Sequence, residues 1–180
     1  MGRGRKTGAG AARLRRDAVV IRRAVAGDAK RLTRLVRTSR AYEGVYASMV
    51  AGYRVGPDYI EAHRVFVAVA ADGGPGDGGA AGGGGRVLGF YALLLDRAEL
   101  DLMFVADDAQ GSGIGRRLIA HMLDEARRAG LSGVRVVSHP PSEGFYRSVG
   151  AVRTGTVPAN PPAVLWDRPE LSFPVADETR

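Results

Sequence analysis

Along this 180-residue chain the spacing of apolar and polar positions changes period several times, and each change predicts an element. Residues 19–25 are a β-branched, strand-like run that Gly27 and Asp28 end. Asp28 then suits the cap of a helix reaching about Arg37, where Leu32, Leu35 and Val36 alternate with Arg31 and Arg34 at helical spacing. Residues 39–53 are rich in tyrosine and small side chains and keep no clear period, and 57–62 read as a short helical turn. Residues 64–70, 87–95 and 99–105 read as strands of one antiparallel meander. The stretch 71–85 between the first two is dominated by glycine and is expected to be a flexible hairpin connection, because it has nothing to bury against its ordering entropy.

Helical period returns over 113–129, with Ile114, Leu118, Met122, Leu123 and Ala126 on one stripe and Gly130 as the stop. Residues 134–138 form a strand expected to lie parallel to 99–105, since a helix joins the two. Ser142 is placed to cap a short helix carrying Tyr146, and 151–157 and 170–175 supply the last strands. The pattern predicts an α/β (α+β) fold: a mixed, mostly antiparallel sheet of six to seven strands with helices on both faces.

Composition narrows this picture. The length suits one domain, taken as residues 18–176 between a basic tail (1–17), expected to be disordered, and a short C-terminal tail (177–180). The chain has no cysteine, which excludes disulfides, thiolate metal sites and a cysteine acyl-enzyme. A net charge of +7 suggests nucleic acid until its location is considered. Residues 1–16 hold Arg3, Arg5, Lys6, Arg13, Arg15 and Arg16 without an acid, and the remaining 20 basic and 19 acidic residues nearly cancel. No basic recognition face is implied for the folded part, and nucleic acid is not expected as a partner. The tail reads as a passive leader, with polyanion binding as the other reading. No apolar run is long enough to span a membrane, and a cytoplasmic location is expected.

The chemistry concentrates at the junction of the 99–105 strand with the long helix, which reads Gln110, Gly111, Ser112, Gly113, Ile114, Gly115. Such a junction suits phosphate, because glycines admit close backbone approach and the helix start presents unpaired N–H groups. A Walker loop is excluded, since the only lysines are Lys6 and Lys30 and neither follows the required glycine pattern. The dinucleotide fingerprint is excluded because Leu118 stands where its third glycine belongs. Ser112 is out of register for a hydrolase elbow, and His63 and His121 have no metal-ligand spacing, so no metal is called for.

What remains, Gln-x-x-Gly-x-Gly, resembles the acetyl-coenzyme A signature of the GCN5-related N-acetyltransferases (GNAT family). The run Leu-Asp-Leu-Met-Phe-Val-Ala-Asp-Asp-Ala-Gln before it is similar to that family's fourth strand and following turn. The later His139-Pro-Pro-Ser-Glu-Gly-Phe-Tyr146-Arg-Ser-Val-Gly150 is similar to its strand 5 to helix 4 segment. The resemblance implies the GNAT fold, with strands 4 and 5 parallel and splayed, and acetyl-coenzyme A as acyl donor. It implies acetyl transfer to a primary amine, expected to be that of a small molecule, by direct attack in a ternary complex. A peptide acceptor and a noncatalytic acyl-coenzyme A-binding domain stay open as alternatives, as does the choice between monomer and homodimer.

Carried over residue by residue, the resemblance assigns the pyrophosphate to Gln110, Gly111, Ser112, Gly113, Ile114, Gly115 and Arg116. The pantetheine arm falls to the main chain of Met103, Phe104 and Val105. Tyr146 matches the tyrosine that protonates the departing thiolate, and Glu99 resembles a strand 4 glutamate used as base. Asp101 is the next candidate, and strand alternation puts Glu99, Asp101 and Met103 on one face. His139, where many relatives carry Asn or Asp, departs from the pattern and is left between a pantetheine contact and solvent. Tyr42, Glu43, Tyr46 and Tyr53 are candidates for an amine pocket, with Glu43 pairing a cation; Trp166 reads as a packing anchor.

Overall fold

The computed structural model describes residues 19–71 and 85–176. Both tails and nearly all of the glycine-rich stretch lie outside the described residues.

Seven strands form one sheet: β1 (Val19–Arg23), β2 (Arg64–Ala70), β3 (Val87–Leu94), β4 (Glu99–Val105), β5 (Gly133–Val137), β6 (Val152–Val157) and β7 (Arg168–Pro174). Their order is β1-β2-β3-β4-β5-β7-β6, antiparallel throughout except for the parallel β4–β5 pair. Four α-helices complete the fold: α1 (Ala29–Arg37), α2 (Pro57–Ala62), α3 (Ile114–Arg128) and α4 (Glu143–Ser148). The poorly periodic stretch between α1 and α2 contains two 3-10 turns, Arg40–Tyr42 and Gly44–Met49.

The two faces of the sheet bury separate cores. Val65, Val67, Val69, Phe90, Ala92, Leu102 and Phe104 pack with Leu32 and Val36 of α1 and Ile60 of α2. Ala68, Leu88, Tyr91, Leu93 and Leu100 pack on the other side with Ile114, Leu118, Ile119, Met122 and Ala126 of α3 and with Tyr146 of α4. Ile119 rather than Leu123 completes the fully buried α3 stripe. The helix closes as the sequence expects: Gly130 takes φ +75°, and Leu131 and Gly130 donate to the carbonyls of Ala126 and Arg127.

Three local expectations are corrected. Asp28 does stand at the start of α1, yet its side chain makes no cap bond to the helix. The carboxylate is instead fully buried and accepts from the amide of Val25 (3.0 Å) and from Arg22 (2.8 Å) and Arg31 (2.6 Å). Burial opposes its ionisation, but these donors outweigh that and hold it below the ordinary carboxylate value. Ser142 precedes α4 likewise without a side-chain cap bond.

The third correction matters most for function. In β4 the partner of Ala92 is Leu102 and that of Leu93 is Leu100, so Asp101 is an extra, bulged residue. Alternation breaks there: Leu100 faces the α3 core, whereas Leu102 and Phe104 face the α1–α2 core. Met103 packs on the α3 side, and Glu99 bonds Arg135 on the opposite face, so Glu99 and Met103 do not share a side. Asp101 projects toward α2, where the phenol of Tyr59 donates to it at 2.5 Å.

Candidate active site

β4 and β5 register with each other at one pair, Glu99 with Arg135, and then diverge. A cavity of about 1560 Å³ opens in the gap, floored by residues 99–105 and by Val136 and Val137. That exceeds the roughly 300–1,000 Å³ of a pocket for one drug-sized ligand, so the cavity has room for more than one such molecule.

One end of the cavity is the start of α3. Gln110, Gly111, Ser112, Gly113, Ile114, Gly115 and Arg116 all line it. The first helical bond runs from the amide of Arg117 to the carbonyl of Gly113, which leaves the amides of Ile114, Gly115 and Arg116 without a helical acceptor. Gly111 and Gly113 hold φ of +75° and +87°, and a Cβ on either would meet nothing within 4 Å. Gly115 differs from expectation: a Cβ there would stand 3.0 Å from the Phe145 ring, so this glycine makes room for α4 and not for a ligand. Gln110 braces the turn through its amide, which donates to the carbonyl of Val105 (3.3 Å) and to Asp107 (3.4 Å). Met103, Phe104 and Val105 form the adjoining wall.

Tyr146 also lines the cavity and is only 8% exposed, its ring edge-on to Phe145 and Phe173. Burial, with a smaller contribution from Tyr42, pushes its phenol above the ordinary value and keeps it protonated. His139 is also on the wall but is buried (6% exposed), which removes the solvent-facing reading. Its Nε2 lies 2.6 Å from the carbonyl of Ala41, an acceptor, so Nε2 carries the proton and donates. Nδ1 is buried and has no partner. The ring stacks on Tyr42 (4.2 Å between centroids), which ties the turns after α1 to the end of β5.

The far end carries the charge. Glu99 and Asp101 both line the cavity, but in different states. Glu99 is held by Arg135 (3.0 Å), which also grips Glu170 (2.7 Å). Asp101 is exposed, lines the cavity and, among the described residues, is held by Tyr59 alone. Burial and the charge of Asp101 push the phenol of Tyr53, another lining residue, up to about 12. Tyr42 lines the cavity, whereas Glu43 and Tyr46 do not. Glu43 is exposed and 3.8 Å from Arg40, and Tyr46 packs edge-on between His139 and Trp166. Arg168, Tyr59 and Arg135 escape the sequence reading, because each reaches the site across the sheet or from another helix and no local pattern marks it.

A mixed sheet that opens along one parallel strand pair, with a glycine-rich helix start at the mouth, is the architecture of the GNAT N-acetyltransferases. Residues 80–159, somewhat under half of the chain, match the family model described as Acetyltransferase (GNAT) domain. Solved structures agree on the fold. The GCN5-related N-acetyltransferase of Rhodopseudomonas palustris superposes with a TM-score of 0.65 at 14% identity, over 86% of this chain and 94% of that one. The protein yncA of Salmonella typhimurium, solved with its cofactor acetyl-CoA, gives 0.64 at 19% identity over 91% and 97%. Among curated proteins, the IAA acetyltransferase of Azospirillum brasilense is 46% identical over 52 residues, which is 27% of this chain. That match spans about a third (34%) of the relative's own length. Among the described residues no helix is long and apolar enough to cross a membrane.

Proposed function

We propose that this protein moves the acetyl group of acetyl-coenzyme A onto a primary amine of a small molecule, by direct attack within one ternary complex. The observation that carries this reading is one cavity lined together by the open α3 start, Tyr146 and Asp101.

The residues present suit the donor. Free amides at 114–116 and the unobstructed Gly111 and Gly113 offer a cradle for a pyrophosphate, and Arg116 adds a positive charge. Bound there, acetyl-coenzyme A supplies the acetyl group as a thioester. The Met103–Val105 edge, left unpaired where β5 diverges, offers backbone groups to the pantetheine arm and one N–H to the thioester oxygen.

In the transfer the amine nitrogen bonds the acetyl carbon as the C–S bond breaks. The amine loses one proton and the thiolate gains one, so no net acid or base is consumed. Asp101 is the better acceptor of the amine's proton, directly or through water, because Arg135 already engages Glu99. Tyr146 gives the proton to sulfur. A phenol of pKa about 10 lies roughly 1.5 units above a thiol, so the transfer is uphill by about 2 kcal/mol, and by more with the upward shift from burial. The step is accessible when the phenolate is promptly reprotonated.

Incubating purified protein and acetyl-coenzyme A with a panel of small amines and peptides, and following free thiol, tests the reading. Thiol release that depends on a small amine supports it. Release only with peptides moves the acceptor class, and tight donor binding without release from any amine leaves a binding domain.

A further inference from the structure

The cavity contains one more charged group than donor binding and proton transfer require. Arg168 opens β7 and stands beside the end of β5, where the Ser138 amide donates to the Pro169 carbonyl. It lines the cavity on the side away from α3, which packs on β3, β4 and β5. Its Nε is buried with no hydrogen-bond partner, and among the described residues its guanidinium has no ion pair. Nearby arginines of the same sheet region are occupied: Arg135 by Glu99 and Glu170, and Arg153 by Glu143. Tyr42, whose phenol feels the charge of Arg168, also lines the cavity and packs against the α1–α2 core, on that same side.

Taking the charged lining residues in turn leaves a simple remainder. Glu99 is paired with Arg135 and Asp108 with Arg86, and Arg116 sits on the first turn of α3 with the phosphate cradle. One anion, Asp101, and one cation, Arg168, then stand without an opposite charge in the acceptor half. An amine alone would satisfy Asp101 and leave the guanidinium unpaired. Guanidinium is a rigid fork whose preferred partner is a planar carboxylate.

We infer that the acceptor is an amino carboxylate, whose carboxylate Arg168 binds while its amine faces Asp101 and the thioester. This rests on the transferase reading above and names its substrate class. The test pairs amino acids, α- and ω-, with their own amides. In thiol-release assays wild type favours each acid over its amide, and Arg168→Gln lowers kcat/KM for the acids by roughly ten- to hundredfold, mainly through KM. The amides are untouched by that substitution, and Arg168→Lys restores part of the loss. Equal use of acid and amide by wild type overturns the inference, as does an equal loss on both from Arg168→Gln. A weakened calorimetric affinity of Arg168→Gln for acetyl-coenzyme A also overturns it, since Arg168 would then serve the donor. If no amine releases thiol, the transferase reading fails by itself, and titrating the acids into protein holding coenzyme A decides Arg168 separately. Heat of binding in wild type that vanishes in Arg168→Gln upholds the carboxylate site, and none in either removes it.

Discussion

Gly113 offers a test in which stability and binding move in opposite directions. It caps the 15-residue α3 at φ +87°, lines the cavity, and has open space where a Cβ would stand. Asn and Asp both tolerate the left-handed conformation better than other side chains, and each carries a similar backbone cost of up to about 1–2 kcal/mol. The pair Gly113→Asn and Gly113→Asp therefore differs by one negative charge at the helix start. Without ligand that charge is favourable, by about 0.3–1 kcal/mol, because it faces the positive end of α3. For a domain of this size the Asp variant should melt about 1–3 °C above the Asn variant. With a pyrophosphate in the cradle the sign reverses. Two phosphate charges at ~6 Å each repel the carboxylate by about 0.7 kcal/mol even at the dielectric of water, and by more at a protein surface. The sum of about 1.4 kcal/mol or more predicts at least tenfold weaker binding of acetyl-coenzyme A to the Asp variant than to the Asn variant. Calorimetry at low ionic strength reads the affinity and a thermal melt reads the stability. Affinities within twofold of each other, with the Tm order as expected, would show that no phosphate sits at α3.

Further expectations concern the proton path and the pH response. Tyr146→Phe keeps the ring contacts with Phe145 and Phe173, so it should leave the Tm nearly unchanged and lower kcat by tenfold or more; a wild-type kcat with chemistry rate-limiting would return Tyr146 to a packing role. Asp101→Asn should lower kcat by tenfold or more, whereas Glu99→Gln should change it little; the opposite result would make Glu99 the base. Burial lowers the His139 pKa below its ordinary 6.5 despite the bond to Ala41, so the unfolded chain binds more protons as the pH falls below about 6.5. Stability should be full above that pH and decline as the pH falls toward the folded pKa. His121 is lowered in the same sense, chiefly by burial, so His139→Gln should flatten only part of the decline in chemical-denaturation curves taken from pH 7.5 to 5; an unchanged slope would refute the assignment.

Much of this arrangement is legible in the sequence because it is local. The valine-rich run of β2 and the apolar run of β4 give their strand limits directly, and the α3 stripe and its closing Gly130 follow from helical period. Gln110 and the two left-handed glycines lie within one turn of each other, so their grouping survives folding unchanged. What fails is what depends on how separate elements close on one another. Asp28 reads as a cap because nothing nearby in sequence marks Arg22 and Arg31 as closing on it from a strand and a helix. Glu43 and Tyr46 read as pocket residues because the 3-10 turns that keep them off the cavity lining have no periodic signature.

The most consequential failure comes from one residue. Strict period-two reading puts Glu99, Asp101 and Met103 on one face, and the bulge at Asp101 undoes it. A one-residue insertion reverses every side chain beyond it. Phe104 is thereby sent to the α1–α2 core and Met103 to α3, while Asp101 turns toward Tyr59 and the acceptor half. The same irregularity lies on the strand whose far end diverges from β5 to open the cavity. Deleting Asp101 would restore regular β3–β4 pairing and leave Leu100, Leu102 and Phe104 on the faces they already occupy, so both cores should stay filled. Such a variant should therefore melt close to Asp101→Asn, which keeps the bulge, while both lose the carboxylate that Tyr59 holds. A deletion variant that melts far below Asp101→Asn would show that the bulge itself is needed to shape β4.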